Sequence, residues 1–232
     1  MKSEALIYKK DRALYADMIA ALDEQRAELI YDSETTLLLH ETAGDIHMLA
    51  SRDFTEAKPL LQKLLEADAV VVLHGAKLAK LAEEMGFQLC APCCQVFYAG
   101  ALLPQEGELT VRHPDGSEFD LVNATYTLSD TIELRQDFDR PDFLGGYVDG
   151  KLACYIGLHC EGSMGMLEVF PEYRRRGYAQ QIYSTLINNQ LLKGRLPYAQ
   201  IFITNTNSLN LQKKLGFQLS TDTIQWAWKP EA

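Results

Sequence analysis

An α/β fold with a mixed sheet is the class this sequence predicts, and three observations carry it. Strand and helix patterns alternate along the second half of the chain. A helix between Gly177 and Gly194 repeats apolar residues at three- and four-residue steps. A strand-helix-strand pattern also occurs twice, once in each half.

Taken in order through the second half, ELTVRHP (108–114) reads as a first strand, followed by weak helices between Phe119 and Phe138. LGGYVDGKLACYIGLHCEG (144–162) and MGMLEVF (164–170) read as strands, with Asp149-Gly150 supplying a hairpin turn. The helix after Gly177 places Ala179, Ile182, Tyr183, Leu186, Ile187 and Leu191 on one face, and Gly194 ends it. AQIFIT (199–204) is a short buried strand. NTNSLNLQKKLGF (205–217) is a short helix with Asn205 or Asn207 as N-cap and Gly216 as C-cap. TIQWAW (223–228) closes the pattern as a strand; its Trp226 and Trp228 belong to a core or wall an acceptor pocket.

The repeat aligns Asp68–Ala99 with Tyr198–Lys229 without a gap. Both copies carry Gly-Phe-Gln-Leu, at Gly86–Leu89 and Gly216–Leu219, and then a strand with Gln95 or Gln225. Chance recurrence of a common α/β pattern competes with a tandem of two similar domains. The tandem reading divides the chain into residues 1–105, a smaller and diverged α/β copy, and residues 106–232.

The chain has 232 residues and a formal net charge of −10, with a pI near 5.0. Such a balance argues against wrapping nucleic acid or docking on anionic lipid, both of which need a broad basic surface. A small molecule is the expected partner. MKSEALIYKKDRALYADM lacks the apolar run of a signal peptide, and no stretch is long enough to span a bilayer, so a cytoplasmic protein is expected. Five cysteines, at 90, 93, 94, 154 and 160, are read as reduced and mostly as small buried strand residues. Cys90, Cys93 and Cys94 lack a second ligand pair at metal spacing, so no metal is expected.

Val169-Phe170-Pro171-Glu172-Tyr173-Arg174-Arg175-Arg176-Gly177-Tyr178-Ala179 is the most informative segment. It leads from a strand through a basic turn into the strongest helix. A diphosphate needs convergent N–H donors and a positive field, and a tight turn into a helix supplies both. Gly177 removes a Cβ from the approach, Ala179 keeps the next turn narrow, and the arginines add charge. A solvated basic turn is the competing reading.

This segment resembles the acyl-CoA-binding signature of the GNAT superfamily, with Arg174, Gly177 and Ala179 at the signature positions. A second family block is matched downstream by Asn205, Ser208, Leu211, Lys214, Leu215, Gly216 and Phe217. The half-length N-terminal domain is similar to the layout of glycine N-acyltransferases. The resemblance implies a centrally splayed sheet, an acetyl-CoA co-substrate and transfer to the amine of a small molecule. It implies that backbone N–H groups of Arg175, Arg176, Gly177, Tyr178 and Ala179 hold the pyrophosphate. Val169 would pair with the pantetheine arm, and Asn205 and Ser208 would line the opposite wall. Gln212 stands where many relatives have a tyrosine that protonates the leaving thiolate; a glutamine cannot give up a proton. Glu168, a carboxylate on an otherwise apolar strand, is the expected general base, weighed against a structural pairing with Arg174. Glu161 and His159 are weaker candidates. Two rival readings stay open: an acyltransferase using longer acyl-CoA with an amino acid acceptor, and a CoA-binding module without catalysis.

Overall fold

A computed structural model describes residues 11–128 and 130–231. The first ten residues, part of the segment read above as lacking a signal peptide, lie outside the described residues. In chain order the elements are α1 (Ala16–Asp23), β1 (Ala27–Asp32), β2 (Thr36–Glu41), β3 (Ile46–Ser51), α2 (Phe54–Glu66), β4 (Val71–His74), α3 (Ala76–Glu84), β5 (Gln88–Leu89), β6 (Cys93–Phe97) and β7 (Thr110–Arg112). They continue with α4 (Phe119–Asn123), α5 (Thr131–Phe138), β8 (Leu144–Val148), β9 (Lys151–Leu158), β10 (Met164–Val169), α6 (Tyr178–Leu192), β11 (Tyr198–Phe202), α7 (Thr206–Leu215) and β12 (Gln218–Trp228).

The strands form two sheets, and the chain divides into two compact units: Met1–Phe97 with Tyr198–Ala232, and Tyr98–Pro197. The sequence boundary between residues 105 and 106 differs from this division because β11 and β12 bond back to earlier strands, β11 to β6. β12 bonds to β4 (Ile224 opposite His74, Ala227 opposite Val71) and to β6 (Ile224 opposite Cys93, Leu219 opposite Val96), which ties the last 35 residues to the first 97.

In the first unit the sheet runs β1-β2-β3-β4-β12-β6-β11, with β5 also on β12. The β3–β4 pair is parallel and the other pairs described here are antiparallel, giving the mixed sheet expected from sequence. Apart from Tyr98 and Ala99, the repeat lies in this unit. Its two halves, β4-α3-β6 and β11-α7-β12, interleave: β4 pairs with β12, β11 pairs with β6, and the two last strands pair with each other. Gly86 and Gly216 both turn the chain with positive φ (104° and 89°), and both following phenylalanines, Phe87 and Phe217, are buried. The ungapped alignment holds through helix and Gly-Phe but slips before them. One residue, Gly75, separates β4 from α3, whereas residues 203–205 separate β11 from α7.

Continuous apolar runs mark these strands as buried on both faces. β2 and β3 bury Leu37, Leu38, Leu39, Met48, Leu49 and Ala50, and of these Leu38 and Leu49 pack with Ala57, Leu61 and Leu64 of α2 and Leu78 and Ala82 of α3. A polar group is buried in the same unit. His74 is closed off between the Leu49 carbonyl (Nδ1, 3.0 Å) and the Asp17 carboxylate (Nε2, 2.8 and 3.0 Å), and Gln95 Nε2 reaches Asp17 at 2.9 Å.

The second unit has an antiparallel sheet, β10-β9-β8-β7, with α4, α5 and α6. The Asp149-Gly150 turn forms as expected: both residues have positive φ, 49° and 76°, the conformation of a two-residue hairpin loop. An aromatic core of Phe119, Phe138, Phe143, Tyr147, Tyr155 and Phe170 sits under α4 and α5. The weak helical signal there follows from their shortness, five and eight residues. On α6, Ile182 approaches Gly146 of β8: a Cβ at Gly146 would meet Cys154 Sγ at 2.6 Å and Ile182 Cδ1 at 3.4 Å.

Candidate active site

The site begins with the end of β10. Its pairing with β9 shifts between Gly165 and Glu168, and Met166 there takes a positive φ of 57°. A bulge of this kind redirects the side chains beyond it. Glu168 emerges with its side chain 29% exposed and receives Arg174 Nη2 on Oε1 at 2.9 Å. Arg174 also donates from Nε to the Val169 carbonyl at 2.8 Å. One arginine therefore clamps the last two residues of the strand. The Val169 carbonyl expected to meet a pantetheine arm already accepts one hydrogen bond, leaving its second lone pair.

Past Pro171–Tyr173, a single 3-10 turn, the backbone runs extended at Arg174 (φ −67°, ψ 158°), left-handed at Arg175 (φ 66°) and left-handed at Gly177 (φ 85°, ψ −1°). Left-handed conformation costs a side-chain-bearing residue roughly 1–2 kcal/mol, so glycine is the residue suited to position 177. The fifteen-residue helix α6 then starts with no side-chain cap. Its first N–H groups lack intrahelical acceptors and stand at the positive end of the dipole. Gly177 is exposed, and a Cβ there would find only Gln181 Nε2, at 3.9 Å. Space for an anion lies open before these donors.

The three arginines take different parts. Arg174 is spent on Glu168 and Val169. Arg176 donates to the Glu172 carbonyl at 3.2 Å and lies over the Tyr173 ring. Arg175 makes no hydrogen bond or ion pair among the described residues. Tyr178 is buried, its hydroxyl donating to Glu108, a bond that raises its pKa above the usual phenol value. Ala179 lies in the first turn of α6, half-buried.

Asn205 and Ser208 belong to the first unit. The Asn205 side chain caps α7, accepting from Ser208 N at 3.1 Å, so it is committed to the helix. On the same helix Gln212 is fully buried, and neither amide atom has a hydrogen-bond partner among the described residues.

His159 and Glu161 sit at the β9–β10 hairpin with a residue that sequence reading missed. Asp137, at the end of α5, lies 3.8 Å from His159 Nδ1 and 3.4 Å from Arg140. Burial, the largest cause, raises its pKa; His159 and Arg140 oppose the rise, and Glu161 and Glu133 add to it. Glu161 is buried and accepts from the Ser163 hydroxyl. Nothing in the short pattern TIELRQDF distinguishes Asp137 from a surface carboxylate.

The counterpart of α6 in the first unit is α2, which likewise follows the third strand of an antiparallel meander. There Asp53 caps the helix, accepting from Thr55 N at 2.8 Å. A carboxylate thus occupies the anion position that α6 leaves open.

Comparison with known proteins shows the fold to which these features belong. Residues 148–227 match the FR47-like protein family. A Drosophila protein superposes with a TM-score of 0.63 at 16% identity, covering 94% of this chain and 88% of that one. A GCN5-related N-acetyltransferase from Kribbella flavida gives 0.60 at 12% identity, covering 95% and 96%. A tandem GNAT protein from the clavulanic acid biosynthesis pathway gives 0.50 at 14% identity, covering 93% and 88%. No curated protein matches the chain. The chain has the GNAT fold, and its residues 148–227 are FR47-like, a GNAT-related pattern.

Proposed function

We propose that this protein transfers an acetyl group from acetyl-CoA to the amine of a small molecule. The observation that carries this reading is the uncapped start of α6 behind the left-handed Arg175 and Gly177. Backbone N–H groups from Arg175 to Ala179 would hold the pyrophosphate, with the Arg175 side chain as the available cation. A bound thioester would supply an activated acyl carbon.

The remaining chemistry belongs to the chain. An amine with a pKa near 10 is almost wholly protonated at neutral pH and must lose a proton to attack. Glu168, beside the strand end, would accept that proton directly or through a water, while Arg174 fixes its orientation. Attack of the amine nitrogen forms the C–N bond and expels the thiolate. A leaving thiol of pKa about 8.5 needs no strong acid. Residues 1–105, with α2 capped by Asp53, are read as a degenerate copy that does not bind the co-substrate. A cytoplasmic location fits this reading; among the described residues no helix is long and apolar enough to cross a membrane.

Release of free thiol from acetyl-CoA against a panel of amines tests the proposal. No release with any amine, despite calorimetric binding, would favour a silent CoA-binding module. Faster turnover of benzoyl-CoA with amino acids would favour the longer-acyl reading.

A further inference from the structure

Cys90 directly follows the short β5 strand, and Cys93 opens β6 three residues on. The backbone at Cys90 is bound to β12 on both sides: Cys90 N donates to the Trp226 carbonyl at 2.9 Å, and Gln225 Nε2 donates to the Cys90 carbonyl at 2.8 Å. Trp226 N–H then finds its acceptor in the Cys90 sulfur, at 3.2 Å. Both thiols lie against one carbonyl, that of Ala91, Cys90 Sγ at 3.0 Å and Cys93 Sγ at 3.7 Å, which brings the two sulfurs to the same side of the chain. The Trp226 N–H aimed at the Cys90 sulfur favours its thiolate, and the Cys90 thiol is lowered to about 7, with the neighbouring Cys93 the largest cause. Cys90 is half-buried and reachable, whereas Cys93 is 4% exposed and its thiol is pushed upward by the neighbouring Cys90 and by burial. Cys94 follows on the strand with its side chain on the opposite face, 3.6 Å from Ser220 Oγ.

We propose that Cys90 and Cys93 form a thiol–disulfide exchange site that takes low-molecular-weight disulfides as oxidant. The Cys90 thiolate attacks one sulfur of the disulfide, the S–S bond breaks, and the first small thiolate leaves and takes a proton from water. Cys90 then carries no negative charge, which removes one cause disfavouring ionisation of Cys93. Cys93 gives its proton to solvent and attacks Cys90 Sγ, forming the internal disulfide and expelling the second small thiol. Two electrons pass from the protein dithiol to the small disulfide. The Trp226 N–H loses a thiolate acceptor in the process, so β12 registers the redox state.

The test uses the reduced full chain, glutathione disulfide at pH 7, acid quenching and peptide mapping by mass spectrometry. An internal Cys90–Cys93 disulfide without retained glutathione is expected. Cys93→Ser should stop at a glutathione adduct on Cys90, and Cys90 in that variant should react at least about tenfold faster than Cys94. An unmodified Cys90–Cys93 pair in the wild-type chain, or glutathione collecting first on Cys94, would overturn the proposal whatever the folding of the variants.

Discussion

Arg174 Nη2 stands 2.9 Å from Glu168 Oε1, so the first arginine of the basic turn and the carboxylate at the strand end hold one another. Of the three consecutive arginines, this one serves the strand rather than solvent. Its exposed setting makes the bond worth little as stability, about 0–1 kcal/mol. Its effect is on orientation.

Glu168→Gln should therefore lower turnover at least about 100-fold while barely changing acetyl-CoA affinity. The amide keeps the shape and can still accept from Arg174, but it cannot take the amine proton. The defect should narrow as pH rises and free amine accumulates. Normal turnover from about pH 6 to 9 would make the carboxylate structural and leave Glu161 or His159 as the next residue to replace.

Gly177→Glu should abolish acetyl-CoA binding, measured by calorimetry, with circular dichroism unchanged. The variant combines left-handed strain with a like charge at the anion position. Gly177→Asn separates the two: asparagine tolerates the conformation and adds no charge, so it should keep substantially more affinity. Equal loss in both would mean that geometry alone matters there.

The raised pKa of Asp137 sets the sign of a pH effect. The folded protein binds this proton more tightly than the unfolded chain does. Stability tied to it is full below the ordinary carboxylate value and lost as pH rises through the folded value. Asp137→Asn should thus raise the melting temperature at pH 7 by roughly a few degrees, with the gain shrinking toward about pH 4. A lower melting temperature at pH 7 would mean that its pairs with Arg140 and His159 outweigh burial.

Asp17→Ala should cost about 3–5 kcal/mol in denaturant unfolding, because it leaves His74 Nε2 in the core without its acceptor and Gln95 Nε2 with the Leu14 carbonyl alone. Gln212→Met should act oppositely. Replacing a buried amide that has no hydrogen-bond partner among the described residues by a side chain of similar volume should stabilise the free chain by roughly 1–3 kcal/mol.

Local structure was legible where short-range chemistry decides it. The apolar period and flanking glycines marked α6 at residues 178–192, Asp149-Gly150 marked the hairpin, and Asn205 and Gly216 marked the ends of α7. Partner choice was not legible. The alternation in TIQWAW says that one face is buried, but not that Ile224 lies opposite both His74 and Cys93. At the site, the basic turn and the possible Glu168–Arg174 pairing could be read from residues five and six apart. The Asp137–His159 approach could not, because it joins a weak helix to a distant hairpin. The commitment of Asn205 to capping was visible in its position, whereas the burial of Gln212 required the tertiary structure.

The interleaving of β12 between β4 and β6 has a consequence for synthesis. A ribosome that has released the first 97 residues has delivered β4 beside its neighbour β3, and β6, but not β11 or β12, which bond to the two edges of β6 and to the other edge of β4. Those edges stay unsatisfied while the next hundred residues emerge, and the sheet closes only when the last strand arrives. A nascent chain stalled before residue 218 presents open edges to other chains, so dependence on a holding chaperone during translation follows from strand order alone.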